Sequence, residues 1–397
     1  MSDLEAAARP LLATSAQVDA EQTLMRLLRD PELRRIQAEI REELAARPRG
    51  RTESGAATLD HAIALWTNSL VLAEISIHQP TPAFTWGTDN TPRTWMGYTL
   101  SGVGTSGDNP DAVLHKGAKV TPPPMDGNMS DLMPLASISD RDLDVAPDGT
   151  FRFTVGRDAE SAVHMTSAPG MLTLGIRDIL SDWRQRPCML EFRPLDEEPA
   201  KSHTDDDILR ATYKDLPPYI RFWASFPERW FGGLSGTTIT PVQVRNGSMA
   251  GCIAAMSFDL APDEAILVTT LPVGAAYTGF QIIDPWMLSV DVTEHPVSLN
   301  KSQTVPNADG SFTYVISRSD PGLANWLSTG DLSTGLGIVR WQAMTDIDSV
   351  RPADLVREFR VVTHAELEGM PDLPRVTAQQ RKEQSAQRAE TYASRTS

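Results

Sequence analysis

The spacing of hydrophobic residues changes along this chain near residue 75. Before that point, Asp30 and Pro31 form a typical helix start, with an N-capping side chain followed by proline at the first helical position. Apolar residues then recur every three or four positions, which is the period of an α-helix with one buried face. The two runs are Leu33, Ile36 and Ile40, and Ala62, Leu65, Trp66 and Leu70. The first 74 residues are therefore predicted to form a helical cap.

Beyond residue 75, short alternating runs are separated by Gly, Pro, Asn and Asp, which is the pattern of β-strands joined by turns. The Asp148-Gly149 pair predicts a turn, and the alternation that follows predicts a strand with Phe151, Phe153 and Val155 on one face. The predicted fold class is mainly β with a helical N-terminal region.

Two segments of the chain resemble each other, residues 147–178 and 308–341. Both open with Asp-Gly, a small hydroxyl residue and Phe, and both end in Leu-Gly-Ile with one arginine. Asp148 matches Asp309, and Arg177 matches Arg340. This similarity predicts two similar β-sandwich or jelly-roll units, although chance similarity between two hairpins is the alternative.

These patterns divide the chain into five parts. An acidic and aromatic stretch stands between the two β units, and its three aspartates Asp205–Asp207 suit a helix N-terminus. The predicted parts are a helical cap (1–74), a first β-sandwich unit (75–196), a linker with a helix (197–237), a second β-sandwich unit (238–366) and a polar tail helix (367–397).

Charge and cysteine content exclude several classes of protein. The formal net charge of −16 disfavours nucleic acid and anionic membranes as partners. No apolar run is long enough to span a bilayer, and no secretory leader begins the sequence, so we expect a cytoplasmic protein. The two cysteines, Cys188 and Cys252, predict neither a disulfide framework nor a thiolate metal site.

The sequence contains none of the common motifs for nucleophile elbows, phosphate loops or zinc proteases. The seven histidines include no pair spaced four residues apart, as a helical metal site requires. We therefore expect a protein without metal or cofactor.

The C-terminal motif, "DPGLANWLSTG" followed by "GLGIVRW", resembles the signature of an uncharacterised bacterial family, a domain of unknown function. "GDNPD" and "LGIRDILSDW" are similar to the N-terminal part of the same proteins. The resemblance covers most of the chain from about residue 80 and implies a two-part, jelly-roll-like fold without an assigned activity. Ser328 and Asp331 depart from the family pattern, which has Asp and His there. The matching residues are Asn325, Trp326, Leu327, Thr329, Gly330, Gly335, Arg340 and Trp341.

The same motif supplies candidate binding residues. Asn325, Trp326 and Arg340 are predicted to line a ligand pocket, or alternatively to lock a β corner through hydrogen bonds and ring burial. A buried guanidinium needs a carboxylate or ligand partner, so Arg340 and Arg177, which holds the matching place in the first unit, are candidate ligand-binding residues. The match between the two arginines favours a shared structural ion pair instead. Both alternatives remain open from the sequence.

Three aspartates are candidates for proton transfer. Asp108 and Asp111 flank a turn sequence near His115, and such a group suits acid–base chemistry or a hard cation, although Asn-Pro-Asp is also an ordinary turn. Asp182 stands next to Trp183 in the chain.

Tryptophan is abundant, with nine residues in 397. Trp286 stands close to an aspartate and is predicted to orient a bound substrate. Aromatic walls with a few polar groups are typical of pockets for small organic molecules. We expect a metal-free enzyme of the lyase, hydratase or isomerase type, with an aromatic cleft between the β units for a hydrophobic or polyol-like substrate. The alternative is a non-catalytic carbohydrate- or lipid-binding module, and either protein could be a homo-oligomer.

Overall fold

A computed structural model describes residues 12–79, 82–86, 92–93, 100–101, 111–116, 135–158, 161–167, 172–182, 185, 188–195, 203–231, 234–245, 251–344 and 347–396. The protein is mainly β with a helical N-terminal region, as the hydrophobic periodicity predicts. Asp108 lies outside the described residues.

Six α-helices lie in the described part of the chain. Asp30 caps the second helix through a hydrogen bond from the Leu33 amide to its side chain, and Pro31 is its first residue, as predicted. The helices are α1 (Ser15–Leu27), α2 (Pro31–Ala45), α3 (Glu53–His78), α4 (Asp205–Phe231), α5 (His364–Glu368) and α6 (Ala378–Thr396).

Helices α1 to α4 share one apolar core. The predicted stripe of α3 is buried in this core, and α4 packs along it although α4 is more than a hundred residues further on in the chain. Asp205–Asp207 form the first turn of α4, as predicted, where carboxylates favour the positive end of the helix dipole. Members of this core include Leu24, Ile40, Leu65, Trp66, Leu216 and Ile220.

The second half of the chain forms two β-sheets. The six-stranded sheet has the order β13-β12-β16-β10-β8, with β9 also paired to β10, and the four-stranded sheet has the order β15-β14-β11-β17. Their strands are β8 (Thr238–Ile239), β9 (Gln243–Arg245), β10 (Gly251–Asp259), β11 (Glu264–Thr270), β12 (Ala275–Ile283), β13 (Ser298–Asn300), β14 (Phe312–Ser317), β15 (Trp326–Ser328), β16 (Thr334–Met344) and β17 (Val356–Thr363).

These two sheets pack face to face as a sandwich. Phe280 of β12 contacts Tyr314 of β14 edge to face, with the ring centroids 5.2 Å apart. Trp341 of β16 is fully buried between the sheets, and its indole N–H donates to the Leu271 carbonyl oxygen at 2.7 Å. The inner face of β12 and β16 therefore belongs to the sandwich core, and every second residue points the other way.

The first half contributes smaller sheets. One has the order β1-β4-β7, and β2-β3 and β5-β6 form two-stranded pairs. The alternation over residues 151–155 predicts a strand that is longer than the observed one, since β5 begins only at Thr154. The strands are β1 (Thr85–Trp86), β2 (Pro92–Arg93), β3 (Leu100–Ser101), β4 (Asp111–Lys116), β5 (Thr154–Gly156), β6 (His164–Thr166) and β7 (Leu172–Arg177).

The two Asp-Gly turns have the same hydrogen-bond pattern. One carboxylate oxygen of Asp148 accepts from the amide and hydroxyl of Thr150, and one of Asp309 accepts likewise from Ser311. The glycine after each aspartate has a positive φ, 85° in the first turn and 79° in the second. Each turn therefore needs its glycine for the same conformational reason.

The similarity extends to strand pairing and to the long helices. β5 pairs in parallel with β6, and β14 pairs in parallel with β15, whereas every other described pair is antiparallel. The three-strand order β1-β4-β7 matches β8-β10-β16. Each set follows a helix of 26 or 27 residues, α3 or α4. In both parts of the chain a long helix therefore precedes a set of strands that includes a parallel pair.

The two arginines of the repeat are not structurally equivalent when the Leu-Gly-Ile triplets are aligned. Arg177 follows its triplet directly, whereas Val339 separates Arg340 from its triplet. Because side chains alternate between the faces of a strand, this one-residue difference places the arginines on opposite faces relative to the triplets. The sequence match between Arg177 and Arg340 is wrong in this respect.

Candidate functional site

The outer face of the six-stranded sheet carries the candidate site. On β12 and β16 the inward positions are apolar, but several outward positions are polar: Tyr277 and Gln281 on one strand, Arg340 and Gln342 on the other. All four side chains are half-buried. Together with neighbouring residues they line a shallow hollow, called here the outer-face hollow, whose lining is Tyr277, Gly279, Phe280, Gln281, Ile338, Arg340 and Gln342.

Antiparallel pairing sets the arrangement of the outer-face hollow. Gly279 lies directly opposite Arg340, with Tyr277 opposite Gln342 and Gln281 opposite Ile338. Residues paired in this way have Cα atoms about 4.5–5.5 Å apart. The side chain of Arg340 therefore leaves the backbone at the centre of the polar group, next to Gly279, which has no side chain.

The ring of Tyr277 occupies the space above Gly279. A Cβ placed on Gly279 would lie 2.5 Å from the Tyr277 hydroxyl oxygen and 2.9 Å from its Cε1 and Cζ atoms. The phenol ring thus lies across Gly279, close to the strand backbone. The glycine permits this ring position, which a larger residue would block.

The far end of the same sheet face is closed by apolar packing. Ile338 and Leu336 belong to a cluster with Ile283 and Met287, and Phe226 of α4 packs against it. One side of the hollow is therefore apolar and covered by a helix. A polar contact beside this wall is partly shielded from water, which strengthens it.

The first β unit reaches the edge of this sheet at β13. The buried side-chain amide of Asn300 donates to the Ser181 carbonyl oxygen at 3.0 Å and to the Leu180 carbonyl oxygen at 3.4 Å. Asn300 is the register partner of Gly279, so its side chain lies on the same face as the hollow. The contact places the chain segment of Asp182 at the edge of that face.

Of the residues predicted to bind a ligand, Arg340 lines the hollow, and the others lie elsewhere. Trp286 is 1 % exposed and packs in the helical core. Its indole N–H donates to the Gly55 carbonyl oxygen at 2.9 Å, and Arg49 lies over the ring. These contacts fix the loop after β12 to α3.

Asn325 and Trp326 make hydrogen bonds within the protein, in the manner of the alternative in which they lock a β corner. Asn325 is buried, and its amide donates to the carbonyl oxygens of Val305 and Thr313 while its oxygen accepts from the Val305 amide. Trp326 donates to the Ser317 carbonyl oxygen and lies under Arg381 of α6. Both residues connect β14 and β15 to neighbouring segments.

The remaining predicted residues lie in the first unit. Asp111 is the first residue of β4, and its register partner is Arg177, the exposed last residue of β7. Asp182 is half-buried in a bend whose backbone contacts Gln185. Among these, only the segment of Asp182 is tied to the sheet that carries the hollow.

Two buried carboxyl groups have raised pKa values. Burial, with a further contribution from the charge of Asp215 on α4, raises the pKa of Glu74 on α3 to about 7. Burial also raises the pKa of Asp284 to about 7, although hydrogen bonds from the Leu288 and Trp286 amides oppose the shift. Neither group is among the described residues that line the hollow.

Tyr277, Gln281 and Gln342 were not singled out by the sequence analysis. Their signal is an even spacing, because polar residues stand four positions apart on β12 and two positions apart on β16, which places each pair on one face of its strand. That signal becomes specific only when the register between β12 and β16 is known, because the strands are separated by 50 residues that include β13 to β15.

In the described part of the chain, no group of three or more His, Cys, Asp or Glu side chains is placed to hold a metal ion. The described helices also include none that combines the length and apolar composition needed to cross a bilayer.

Comparison with known proteins gives a match in fold. No protein-family profile and no curated protein sequence matches the chain. A crystal structure of an uncharacterised protein from Burkholderia cenocepacia is similar over 90 % of this chain and 99 % of its own, with a TM-score of 0.56 and 18 % sequence identity. A structure of the VPA0106 protein from Vibrio parahaemolyticus matches 39 % of this chain and 37 % of its own, with a TM-score of 0.23 and 15 % identity. The first likeness shows that this fold also occurs in the Burkholderia protein.

Proposed function

We propose that the protein binds a small, hydroxyl-rich organic molecule in the outer-face hollow, as a carbohydrate-binding module does. The observation that carries this proposal is the phenol ring of Tyr277 held across Gly279, beside the guanidinium of Arg340. The ring offers an amphipathic surface, and the surrounding groups offer directional hydrogen bonds.

The chemistry of the lining supports a polar ligand. Gln281 and Gln342 each carry two N–H donors and one carbonyl acceptor, and Arg340 carries five N–H donors. Such groups satisfy adjacent hydroxyls on a ring, while the tyrosine ring contacts its C–H surface. A purely apolar lipid could not form hydrogen bonds with these polar groups, so a hydroxylated ligand is favoured over a lipid.

Among the described residues that line the hollow there is no carboxylate, and this favours binding over acid–base catalysis. A lyase, hydratase or isomerase reaction is the second candidate, and one observation supports it. Asn300 holds the segment before Asp182 at the edge of the same sheet face, so Asp182 is the aspartate best placed to reach a bound ligand. In that case Asp182 would exchange a proton with the ligand held by Arg340.

Membership of the uncharacterised bacterial family remains an interpretation of the Asn-Trp-Leu motif. Under the present proposal, that motif serves stability, since Asn325 and Trp326 hydrogen-bond within the second sandwich. The binding role belongs to the neighbouring strand residues.

Titration calorimetry of the full chain with monosaccharides, oligosaccharides and polyols tests the proposal. We expect at least one compound to bind, and Gln342→Ala to weaken its binding by tenfold or more. Gln379→Ala, on the exposed surface of α6, is the matched control and should bind normally. Absence of binding across these compounds, or equal binding by the two variants, contradicts the proposal. If Asp182→Asn abolishes turnover of a bound compound without changing its affinity, the enzyme is favoured instead.

A further inference from the structure

Strand β17 forms one edge of the four-stranded sheet, because in the described part of the chain it pairs with β11 alone. Arg357, Arg360 and Val361 of this strand are exposed, and Val361 is 42 % exposed although it is apolar. The outer-face hollow belongs to the other sheet, so β17 is a separate surface. An exposed edge strand offers backbone groups with which a further strand can pair.

The hydrogen-bond pattern between β11 and β17 shows which backbone groups face the open edge. The amide of His364, one residue after the strand, donates to the Asp263 carbonyl oxygen at 2.9 Å. Hydrogen-bonded pairs alternate along an antiparallel ladder, so the even-numbered residues from 358 to 362 bond to β11. Phe359 and Val361 therefore direct their backbone N–H and C=O groups away from β11.

The outer face of β17 carries one acid and one base. Glu358 and Arg360 lie two positions apart, on the face opposite to Phe359, which packs against the sandwich core. Nε of Arg360 donates to the Glu358 carboxylate at 2.7 Å, and the Thr269 hydroxyl donates to the other carboxylate oxygen at 3.2 Å. The two charged side chains are 43 % and 40 % exposed, and each has the hydrogen-bonding capacity for a further partner.

These two charges select one register in which β17 can pair with its own copy. In a two-fold symmetric antiparallel pair centred on Phe359, Glu358 of each copy lies opposite Arg360 of the other. Phe359 then exchanges backbone hydrogen bonds with its equivalent, and the charged residues form the closer, non-hydrogen-bonded pairs, with Cα atoms about 4.5 Å apart. A pair centred on Glu358 or on Arg360 would place like charges opposite each other, which is unfavourable.

We propose that the protein forms a two-fold dimer in which β17 pairs with β17 of a second copy, joined by reciprocal ion pairs between Glu358 and Arg360. The two four-stranded sheets then become one continuous sheet. A β-bulge interrupts β17 just before Glu358, so the regular pairing is short and the association weak and reversible. The net charge of −16 repels a second copy at long range, and salt at about 0.15 M screens this repulsion.

Analytical ultracentrifugation of the full chain at physiological salt tests the dimer. We expect a monomer–dimer equilibrium, and we expect Arg360→Glu to raise the dissociation constant tenfold or more, because acids then lie opposite each other. Arg210→Glu makes the same change of charge at an exposed position of α4 and should leave the equilibrium unchanged. The double variant Glu358→Arg/Arg360→Glu exchanges the two charges and should dimerise again.

Cysteine cross-linking tests the register. In the proposed pair, a cysteine at position 358 of one copy lies opposite a cysteine at position 360 of the other, within reach of a disulfide. Mild oxidation should therefore link the Glu358→Cys protein to the Arg360→Cys protein in a mixture, whereas neither protein should link to itself through the new cysteine. Mass spectrometry of the linked peptides distinguishes this bond from any formed by Cys188.

Circular dichroism establishes that each variant is folded. A protein that stays monomeric at all concentrations, or a dimer that Arg360→Glu leaves unchanged, overturns the proposal. A folded double variant that remains monomeric shows that the two charges do not pair across the edge. Self-linking of Glu358→Cys or of Arg360→Cys, without linking in the mixture, would reveal another register and also contradict the proposed dimer.

Discussion

The hydroxyl oxygen of Tyr277 lies where a side chain on Gly279 would be, 2.5 Å from the position of a Cβ at that residue. One glycine therefore decides where an aromatic ring lies on an otherwise polar sheet face. The atoms that a Cβ at Gly279 would contact belong to the outer end of the Tyr277 side chain. The ring can therefore move away without disturbing the sandwich core.

Gly279→Ala should therefore separate binding from stability. We expect the added methyl group to displace the Tyr277 ring and to weaken ligand binding at least tenfold. The free energy of unfolding should change by less than about 1 kcal/mol, because alanine suits a strand and no core atom is displaced. Calorimetry and urea unfolding measure the two effects.

Gly175→Ala is the matched control, since Gly175 also lies in a strand and a Cβ there would meet nothing within 4 Å. It should leave affinity unchanged. Normal binding by Gly279→Ala would show that the ring position is irrelevant to the ligand.

Asn325→Ala should destabilise the second sandwich. The substitution removes three hydrogen bonds to the backbone of Val305 and Thr313 and leaves buried polar groups without partners. Because each such group costs about 1–3 kcal/mol, we expect a loss of about 3 kcal/mol in urea unfolding. Asn307→Ala, which removes hydrogen bonds to two side-chain hydroxyls, should cost less. A near-neutral Asn325→Ala would return this residue to the list of candidate binding residues.

Trp286→Phe tests whether this tryptophan serves stability or binding. The phenylalanine keeps an aromatic ring but cannot donate to the Gly55 carbonyl oxygen. We expect a loss of about 1–3 kcal/mol in the free energy of unfolding, from the unpaired carbonyl and the smaller ring. Ligand affinity should be unchanged, and a selective loss of affinity with unchanged stability would place Trp286 in the binding site.

Glu74→Gln should change how stability depends on pH. Burial raises the pKa of Glu74 in the folded protein from its ordinary value of 4.5 to about 7, so the folded state binds more protons between these values. The free energy of unfolding therefore falls as pH rises from 4.5 to 7, by up to about 3 kcal/mol from this residue. Glutamine is neutral throughout, so the variant should lose less stability over this range.

Part of the slope should remain in Glu74→Gln, because Asp284 also has a raised pKa. Chemical unfolding at a series of pH values measures the difference. Glu383→Gln on the exposed side of α6 serves as a control. Identical pH profiles for Glu74→Gln and the unchanged protein would show that Glu74 does not titrate in this range.

The hydrophobic periodicity was sufficient to predict the helices and the β-rich remainder, because Asp30, Pro31 and the stripe of α3 determine local structure. The two Asp-Gly turns could also be predicted, since each needs a glycine with positive φ. The packing of α4 along α3 could not be predicted, because packing between helices that are distant in the chain leaves no local pattern. Of the residues that line the hollow, Arg340 is singled out in the sequence by its charge in an apolar strand, whereas Tyr277 becomes relevant only through the strand register and the missing side chain of Gly279.

The most direct measurement of the central claim is a methyl NMR titration of the protein labelled at isoleucine δ1 carbons, with the tightest saccharide found by calorimetry. Ile338 lines the hollow, whereas Ile282 lies on the neighbouring strand but faces the sandwich core. Binding in the outer-face hollow predicts a saturable shift of the Ile338 methyl signal and little change in that of Ile282. An unmoved Ile338 signal under saturating ligand would place the binding site elsewhere and contradict the account.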